Sequence, residues 1–89
     1  MSKYVINNDL TIRNIADETF IMNRDMGIVH SFNETGIFIW NEITSGKTFD
    51  EIVTNTKAHF DESDENTEED IFQFIVKLED SGLITVVQE

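Results

Sequence analysis

The side chains of this sequence that could bind a metal or a phosphate are few and poorly spaced for that chemistry. His30 and His59 are far apart in the sequence and the chain has no cysteine, whereas zinc ligands are grouped at short spacings. Gly46-Lys47-Thr48 resembles the end of a phosphate-binding P-loop, but the motif needs an earlier glycine where the chain has Asn41. We therefore interpret this tripeptide as a helix boundary and predict no metal site.

Acidic side chains are abundant, and they are concentrated in residues 61–66. An EF-hand loop that began at Asp61 would need a glycine at its sixth position and a glutamate at its twelfth, but the chain has Asn66 and Phe72 there. The serines lack the flanking glycines of a nucleophile elbow. No pattern indicates the buried carboxylate that a general acid requires. The sequence predicts a solvated acidic loop and a protein that is not an enzyme and needs no cofactor.

Composition restricts the chain to one small acidic domain. A length of 89 residues leaves room for a single core, so we predict one domain over residues 1–89. Six Lys and Arg against eighteen Asp and Glu give a net charge of −12, which repels nucleic acid and anionic membranes. The lack of cysteine excludes disulfides, and no run approaches the ~20 apolar residues of a membrane span. We expect a cytoplasmic protein that binds neither nucleic acid nor membrane.

Short apolar runs with a two-residue period predict β-strands in the N-terminal part of the chain. The runs are residues 4–6, 10–15, 19–22 and 28–32. The break before the last run begins with Asn and Asp and ends at Gly27, which is typical of a type I turn closed by a left-handed glycine. The two strands that flank this break are therefore predicted to form a hairpin.

After Phe32 the apolar period becomes helical, and three predicted helices begin at capping residues. Asn33 is typical of an N-cap, and the first helix should end near Gly46. Residues 48–51, Thr-Phe-Asp-Glu, form a capping box for the second helix, and residues 67–70, Thr-Glu-Glu-Asp, nearly form one for the third. The apolar run 83–87 after the third helix is either a closing extension or a short strand.

Two features of the sequence are not needed to build a core and could form a binding surface. The strand at 28–32 is the last before the helices and is expected at a sheet edge, where unpaired backbone groups can accept another strand. The core stripe of the third helix is predicted to contain Ile71, Phe74, Ile75 and Leu78. Phe72 and Val76 lie on an adjoining arc. If that helix lies beside the edge strand, an extended peptide could pair with the strand and pack against the helix.

In order and spacing these elements resemble the PqqD family from about residue 4 to residue 84. The resemblance rests on Asn-Glu-Thr-Gly at 33–36, Ile39-Trp40, the segment 46–53 and Ser-Gly-Leu-Ile at 81–84. It implies a RiPP recognition element, an α+β, winged-helix-like domain with a three-stranded antiparallel sheet followed by three helices. Such a domain binds the leader of a ribosomally made precursor peptide by strand addition. It delivers the peptide to a modifying enzyme on a separate chain, either a radical SAM enzyme or the leader peptidase of a lasso peptide pathway.

The resemblance also implies that the peptide site combines the edge strand and the third helix. Its predicted members are Gly27, Ile28, Val29, His30, Ser31, Phe72, Ile75, Val76 and Glu79. Among them, Ile75 is the one that fits a core position best. Lys77 is one of six cations and is suited to an acidic leader residue, although lysines more commonly lie on solvated surface.

Two alternatives stand beside this prediction. A winged-helix regulator that binds DNA or another protein would share the fold, but DNA binding would call for a basic stripe on the third helix, and the sequence has none. The edge strand could instead pair with its own copy and form a homodimer.

Overall fold

In a computed structural model the chain forms five strands and three helices within residues 2–25, 27–60 and 66–88, which are the residues that the structure describes. The elements are β1 (Ser2–Ile6), β2 (Leu10–Ile15), β3 (Glu18–Asn23), β4 (Ile28–Phe32), α1 (Glu34–Thr44), α2 (Phe49–Phe60), α3 (Thr67–Asp80) and β5 (Ile84–Gln88). The predicted acidic loop lies outside the described residues except for Asn66. Within the described part of the chain, no helix is long and apolar enough to cross a bilayer.

The strands form two separate antiparallel sheets. β2, β3 and β4 form a three-stranded sheet with β3 at its centre. Together with the three helices this sheet confirms the predicted α+β class. β1 is not part of it and pairs with β5, so that Tyr4 lies opposite Val86. The run after the third helix is therefore a strand, and the first apolar run of the chain is its partner.

Two asparagines tie the two sheets together. Asn23 ends β3 with its side chain buried, and its Nδ2 donates a hydrogen bond to the carbonyl oxygen of Gly82 at 2.8 Å. Asn7, between β1 and β2, donates to the same oxygen at 2.8 Å. Because Gly82 lies between α3 and β5, these bonds fix the three-stranded sheet against the end of α3. Buried polar groups are tolerated here because each has a partner.

The glycine that closes the turn between β3 and β4 has the predicted left-handed conformation. Gly27 has φ +68°, and its amide donates to the carbonyl oxygen of Asn23 at 2.8 Å. The Asn23 side-chain oxygen accepts from the amide of Asp25 at 2.9 Å. The hairpin is confirmed, and it places β4 at an outer edge of the sheet.

Helix caps were predicted correctly at two of three starts. Asn33 caps α1, since its side-chain oxygen accepts from the amide of Gly36 at 2.9 Å. In the box that opens α2, the Thr48 amide donates to Glu51 Oε1 at 3.0 Å and the Glu51 amide donates to Thr48 Oγ1 at 3.3 Å. The third prediction was wrong because α3 begins one residue earlier, at Thr67, with Asn66 in the N-cap position and no side-chain cap.

One buried cluster joins the three-stranded sheet, the three helices and β5. Its members are Ile21, Phe32, Ile39, Trp40, Ile43, Ile52, Val53, Ile71, Ile75, Leu78, Leu83 and Ile84. Each helix contributes one face to this cluster at helical spacing, which is the pattern of an amphipathic helix on a core. The core therefore fixes which flank of α3 faces β4.

Replacing Gly36 with alanine tests the packing at the start of α1. A Cβ at this position would lie 3.2 Å from Phe32 Cβ and 3.4 Å from the Phe74 ring. Alanine is favoured over glycine inside helices by about 0.5–1 kcal/mol, but overpacking costs about 1–3 kcal/mol. We expect Gly36→Ala to lower the free energy of unfolding by about 1 kcal/mol in urea denaturation. Thr35→Ala, at the exposed neighbouring position, is the control and should stay within about 0.5 kcal/mol of the parent. A more stable Gly36→Ala protein would contradict the close packing.

Thr48→Ala tests the capping box through the titration of Glu51. Hydrogen bonds from the Thr48 backbone and side chain hold the pKa of the Glu51 carboxyl below its usual value. A lowered pKa in the folded state stabilises the protein above the usual carboxyl pKa, and that contribution is lost as the pH falls through the lowered value. We expect Thr48→Ala to raise the Glu51 pKa in an NMR titration and to cost less stability in acid than at neutral pH. An unchanged Glu51 pKa would contradict this role of the cap.

Candidate functional site

The outer strand β4 offers backbone groups that the sheet does not pair. Among the described residues β4 pairs only with β3. In an antiparallel pair, alternate residues of each strand direct N–H and C=O toward the neighbouring strand. The remaining residues of β4 direct theirs outward, which is the arrangement that accepts another strand.

A cleft of about 230 Å³ lies between this edge and α3. We call it the β4–α3 cleft. Its lining consists of Val29, His30, Ser31 and Phe32 from β4 and Phe74, Lys77 and Leu78 from α3. A strand added to β4 would therefore place side chains against one flank of α3.

Phe32 sets the spacing between the walls of the cleft. Its ring meets the Phe74 ring edge to face, with centroids 5.4 Å apart, and tilts against the Trp40 ring at 5.8 Å. Phe32 is buried, whereas Phe74 is half-buried and open to the cleft. Aromatic pairs in this geometry stabilise by about 0.5–1.5 kcal/mol beyond their buried area. The aromatic wall of the cleft is thus held in place by the core.

His30 lies on the core-facing side of β4. It stands directly opposite the fully buried Ile21 of β3. Its Nε2 atom is buried and has no hydrogen-bond partner among the described residues. A buried polar atom without a partner is costly, so this nitrogen is a polar group that the described residues leave unsatisfied. The neighbouring Val29 faces the other way and is 57% exposed.

Lys77 brings a positive charge to an otherwise strongly acidic protein. The chain carries a net charge of −12 with only six Lys and Arg. Lys77 is exposed on α3 and lines the β4–α3 cleft. The structure therefore places this lysine at the cleft, where it can meet a carboxylate or a carbonyl oxygen of a ligand.

The cleft adjoins a larger cavity of about 650 Å³ beside the starts of α1 and α3. The two spaces share Ser31, Phe32 and Phe74. Asp70 also lines the larger cavity, together with Thr56, whose buried hydroxyl has no hydrogen-bond partner among the described residues. A peptide that follows β4 would reach this polar cavity at the Phe32 end of the strand.

The structure divides the predicted site residues between two surfaces. Residues 27–31 follow the turn and the edge strand, and Val29, His30 and Ser31 line the β4–α3 cleft. Ile75 belongs to the core at 4% exposure. Phe72, Val76 and Glu79 lie elsewhere and are not brought together with the strand. They stay predictions as binding residues, but the expectation that they form the wall beside β4 has to be corrected.

The reason for the division is the geometry of α3. Successive residues of a helix are about 100° apart. Phe74 and Lys77 consequently lie on one side of the core stripe, and Phe72 and Val76 lie on the other. Sequence reasoning had assigned Phe74 to the core stripe and missed it as a cleft residue. No signal in α3 itself could have found it, because which flank meets β4 is decided by tertiary packing.

A second groove of about 360 Å³ lies on this other flank of α3. We call it the Phe72 groove. Its lining consists of Tyr4, Phe49, Phe72, Ile75, Val76, Glu79 and Val86.

Among the described residues, no group of three or more His, Asp or Glu side chains is placed to hold a metal ion.

Comparison with known families identifies the chain. The model of the PqqD family, described as coenzyme PQQ synthesis protein D, matches residues 18–84. This span runs from the start of β3 to the start of β5 and covers most of the chain. The chain therefore belongs to the PqqD family, as the sequence predicted.

A solved structure supports the fold. The structure of TbiB1 in complex with the TbiA(beta) leader peptide superimposes with a TM-score of 0.80 and 24% sequence identity. The match covers 90% of this chain and 93% of that one. No curated protein sequence matches the chain.

Hydrogen exchange tests whether β4 is an open edge. We expect the amides of the central strand β3 to be protected throughout, since both of its sides are paired. In β4, protected amides should alternate with rapidly exchanging ones, because the outward groups are bonded only to water. NMR-detected exchange of the free protein would measure both strands at once. Uniform protection of β4 would instead show that another strand, such as that of a second copy, already covers the edge.

Proposed function

We propose that this protein binds the leader of a ribosomally made precursor peptide by strand addition to β4 and delivers it to a modifying enzyme on a separate chain. The observation that carries the proposal is the open edge of β4 beside the β4–α3 cleft. The strand offers backbone hydrogen bonds and the helix flank offers side-chain contacts, which is the combination used in peptide recognition by β-augmentation.

The cleft has the chemistry of a peptide site. Phe74 supplies an aromatic surface and Lys77 a positive charge. His30 supplies a nitrogen that lacks a partner among the described residues. Backbone pairing gives affinity that depends little on sequence, whereas the accessible side chains of Phe74 and Lys77 would select among peptides. Membership of the PqqD family, and a matching fold in a protein solved with a leader peptide, support this use of the cleft.

We further propose that the chain acts as an adaptor and not as an enzyme. The sequence supports this, because it has no cysteine and its two histidines lie in different elements. Holding a precursor next to an enzyme raises the effective concentration of the substrate at the active site. In this proposal residues 1–89 form one peptide-binding domain. A cytoplasmic location stays a prediction.

Two phenylalanines on α3 provide a matched test of the site. Phe74 lines the β4–α3 cleft and Phe72 lies on the opposite flank, two positions earlier. The ligand is a synthetic leader taken from any precursor-like peptide that is encoded beside the gene. We expect Phe74→Ala to weaken leader binding about tenfold in isothermal titration calorimetry, because it removes an aromatic contact. Phe72→Ala should bind within about twofold of the parent protein, since its side chain does not reach the cleft.

A Lys77 variant and an NMR titration separate a loss of binding from a loss of stability. Lys77→Ala changes an exposed side chain, so we expect it to leave the free energy of unfolding within about 0.5 kcal/mol of the parent and any loss of affinity to report the lost contact. In the parent protein, amide NMR shifts on leader addition should concentrate in residues 28–32 and around Phe74 and Lys77. Equal losses in Phe72→Ala and Phe74→Ala, or shifts confined to the Phe72 side of α3, would overturn the assignment of the cleft.

A further inference from the structure

The Phe72 groove leaves an apolar surface exposed on the flank of α3 that the β4–α3 cleft does not use. Phe72 is 57% exposed and Val76 is 37% exposed. Phe49 of α2 meets the Phe72 ring edge to face, with centroids 6.2 Å apart. Tyr4 and Val86, which are paired across the β1–β5 sheet, complete the wall. Exposed apolar side chains that cluster in a concave surface mark interaction sites more often than scattered ones do.

The rim of this groove is acidic. Glu79 lines it directly. Burial, and then the negative charge of Asp50, raise the pKa of the Tyr4 hydroxyl in the same wall. The only lysine of α3, Lys77, lies on the opposite flank at the β4–α3 cleft. An apolar floor with an acidic rim is complementary to an apolar side chain flanked by lysine or arginine.

A second copy of this chain fits the groove poorly. In a symmetric dimer the same patch faces itself, so the Glu79 carboxylates of the two copies would be brought together across the interface. Like charges that face each other across an interface oppose association, and the whole chain repels its copy through a net charge of −12.

A leader peptide bound at β4 does not reach this groove either. The groove and the β4–α3 cleft lie on opposite flanks of α3, separated by the core stripe of the helix. A strand paired with β4 runs along one flank only. Tyr4 and Val86 also lie outside residues 18–84, which the family model matches, so the groove is completed by the terminal strands of this chain.

We propose that the Phe72 groove docks the modifying enzyme, through an enzyme segment that presents an apolar side chain flanked by lysine or arginine. This inference rests on the proposed function, because it supplies the second partner of the adaptor. α3 then separates the two ligands by about one helix diameter, roughly 10–12 Å. The leader on one flank and the enzyme on the other would be held close together without competing for one surface.

The test uses the intact protein and any purified radical SAM enzyme or leader peptidase that is encoded beside its gene. Phe72→Ala should weaken enzyme binding about tenfold in biolayer interferometry, as expected for an aromatic anchor, and should leave leader binding unchanged. Phe74→Ala is the matched control and should retain enzyme binding. A second pair of variants tests the acidic rim of the groove. Glu79→Lys should weaken enzyme binding. Asp80→Lys makes the same charge change on the neighbouring exposed residue and should leave enzyme binding unchanged. Enzyme binding should also weaken as salt is raised.

The remaining outcomes would contradict either the docking assignment or the proposed function. If the parent protein does not bind the enzyme, or if Phe72→Ala binds it as tightly as the parent, the docking assignment is overturned. It is also overturned if sedimentation shows a dimer that Phe72→Ala dissociates, because the occupant is then a second copy. Enzyme binding that depends on Phe72 in a protein that does not bind the leader would support the groove and refute the proposed function.

Discussion

The packing of Phe32 against Trp40 and Phe74 is the contact on which the geometry of the cleft depends. Phe32 ends the edge strand, Trp40 lies in α1 and Phe74 lies in α3, so one ring fixes three elements relative to one another. Gly36 permits the close approach, since a Cβ there would lie 3.2 Å from Phe32 Cβ. The Asn33 cap holds the start of α1 at the same place. The spacing between the open edge and the helix wall is therefore set by the Phe32 ring.

Three sides of helix α3 have different surroundings. Its central stripe enters the core through Ile71, Ile75 and Leu78. One flank faces β4 and carries Phe74 and Lys77, and the other faces β5 and α2 and carries Phe72. A small domain leaves a large fraction of its surface exposed, and a helix that is packed along a narrow stripe leaves both flanks available. Both flanks are thus open to a ligand, as the proposed adaptor role requires.

The β4–α3 cleft and the Phe72 groove differ in charge. The excess of carboxylates makes most of the protein repel anions, and the cleft differs because Lys77 lies there. The Phe72 groove has the Glu79 carboxylate in its lining instead. Because exposed ion pairs contribute little affinity, we regard these charges as determinants of which partner binds where. Affinity would come from the aromatic surfaces and from backbone pairing.

The sequence by itself determined the helix boundaries at Asn33 and at residues 48–51, the Gly27 hairpin, the strand character of β2 to β4 and the membership of the PqqD family. These features depend on local chemistry, such as caps, turns and apolar period, which neighbouring residues specify. Tertiary structure alone decided that β1 pairs with β5, that Asn7 and Asn23 share the carbonyl of Gly82, and that Phe74 instead of Phe72 faces the edge strand. A helix sequence defines its apolar stripe but not which element lies against each flank, because that choice depends on contacts between residues far apart in the chain.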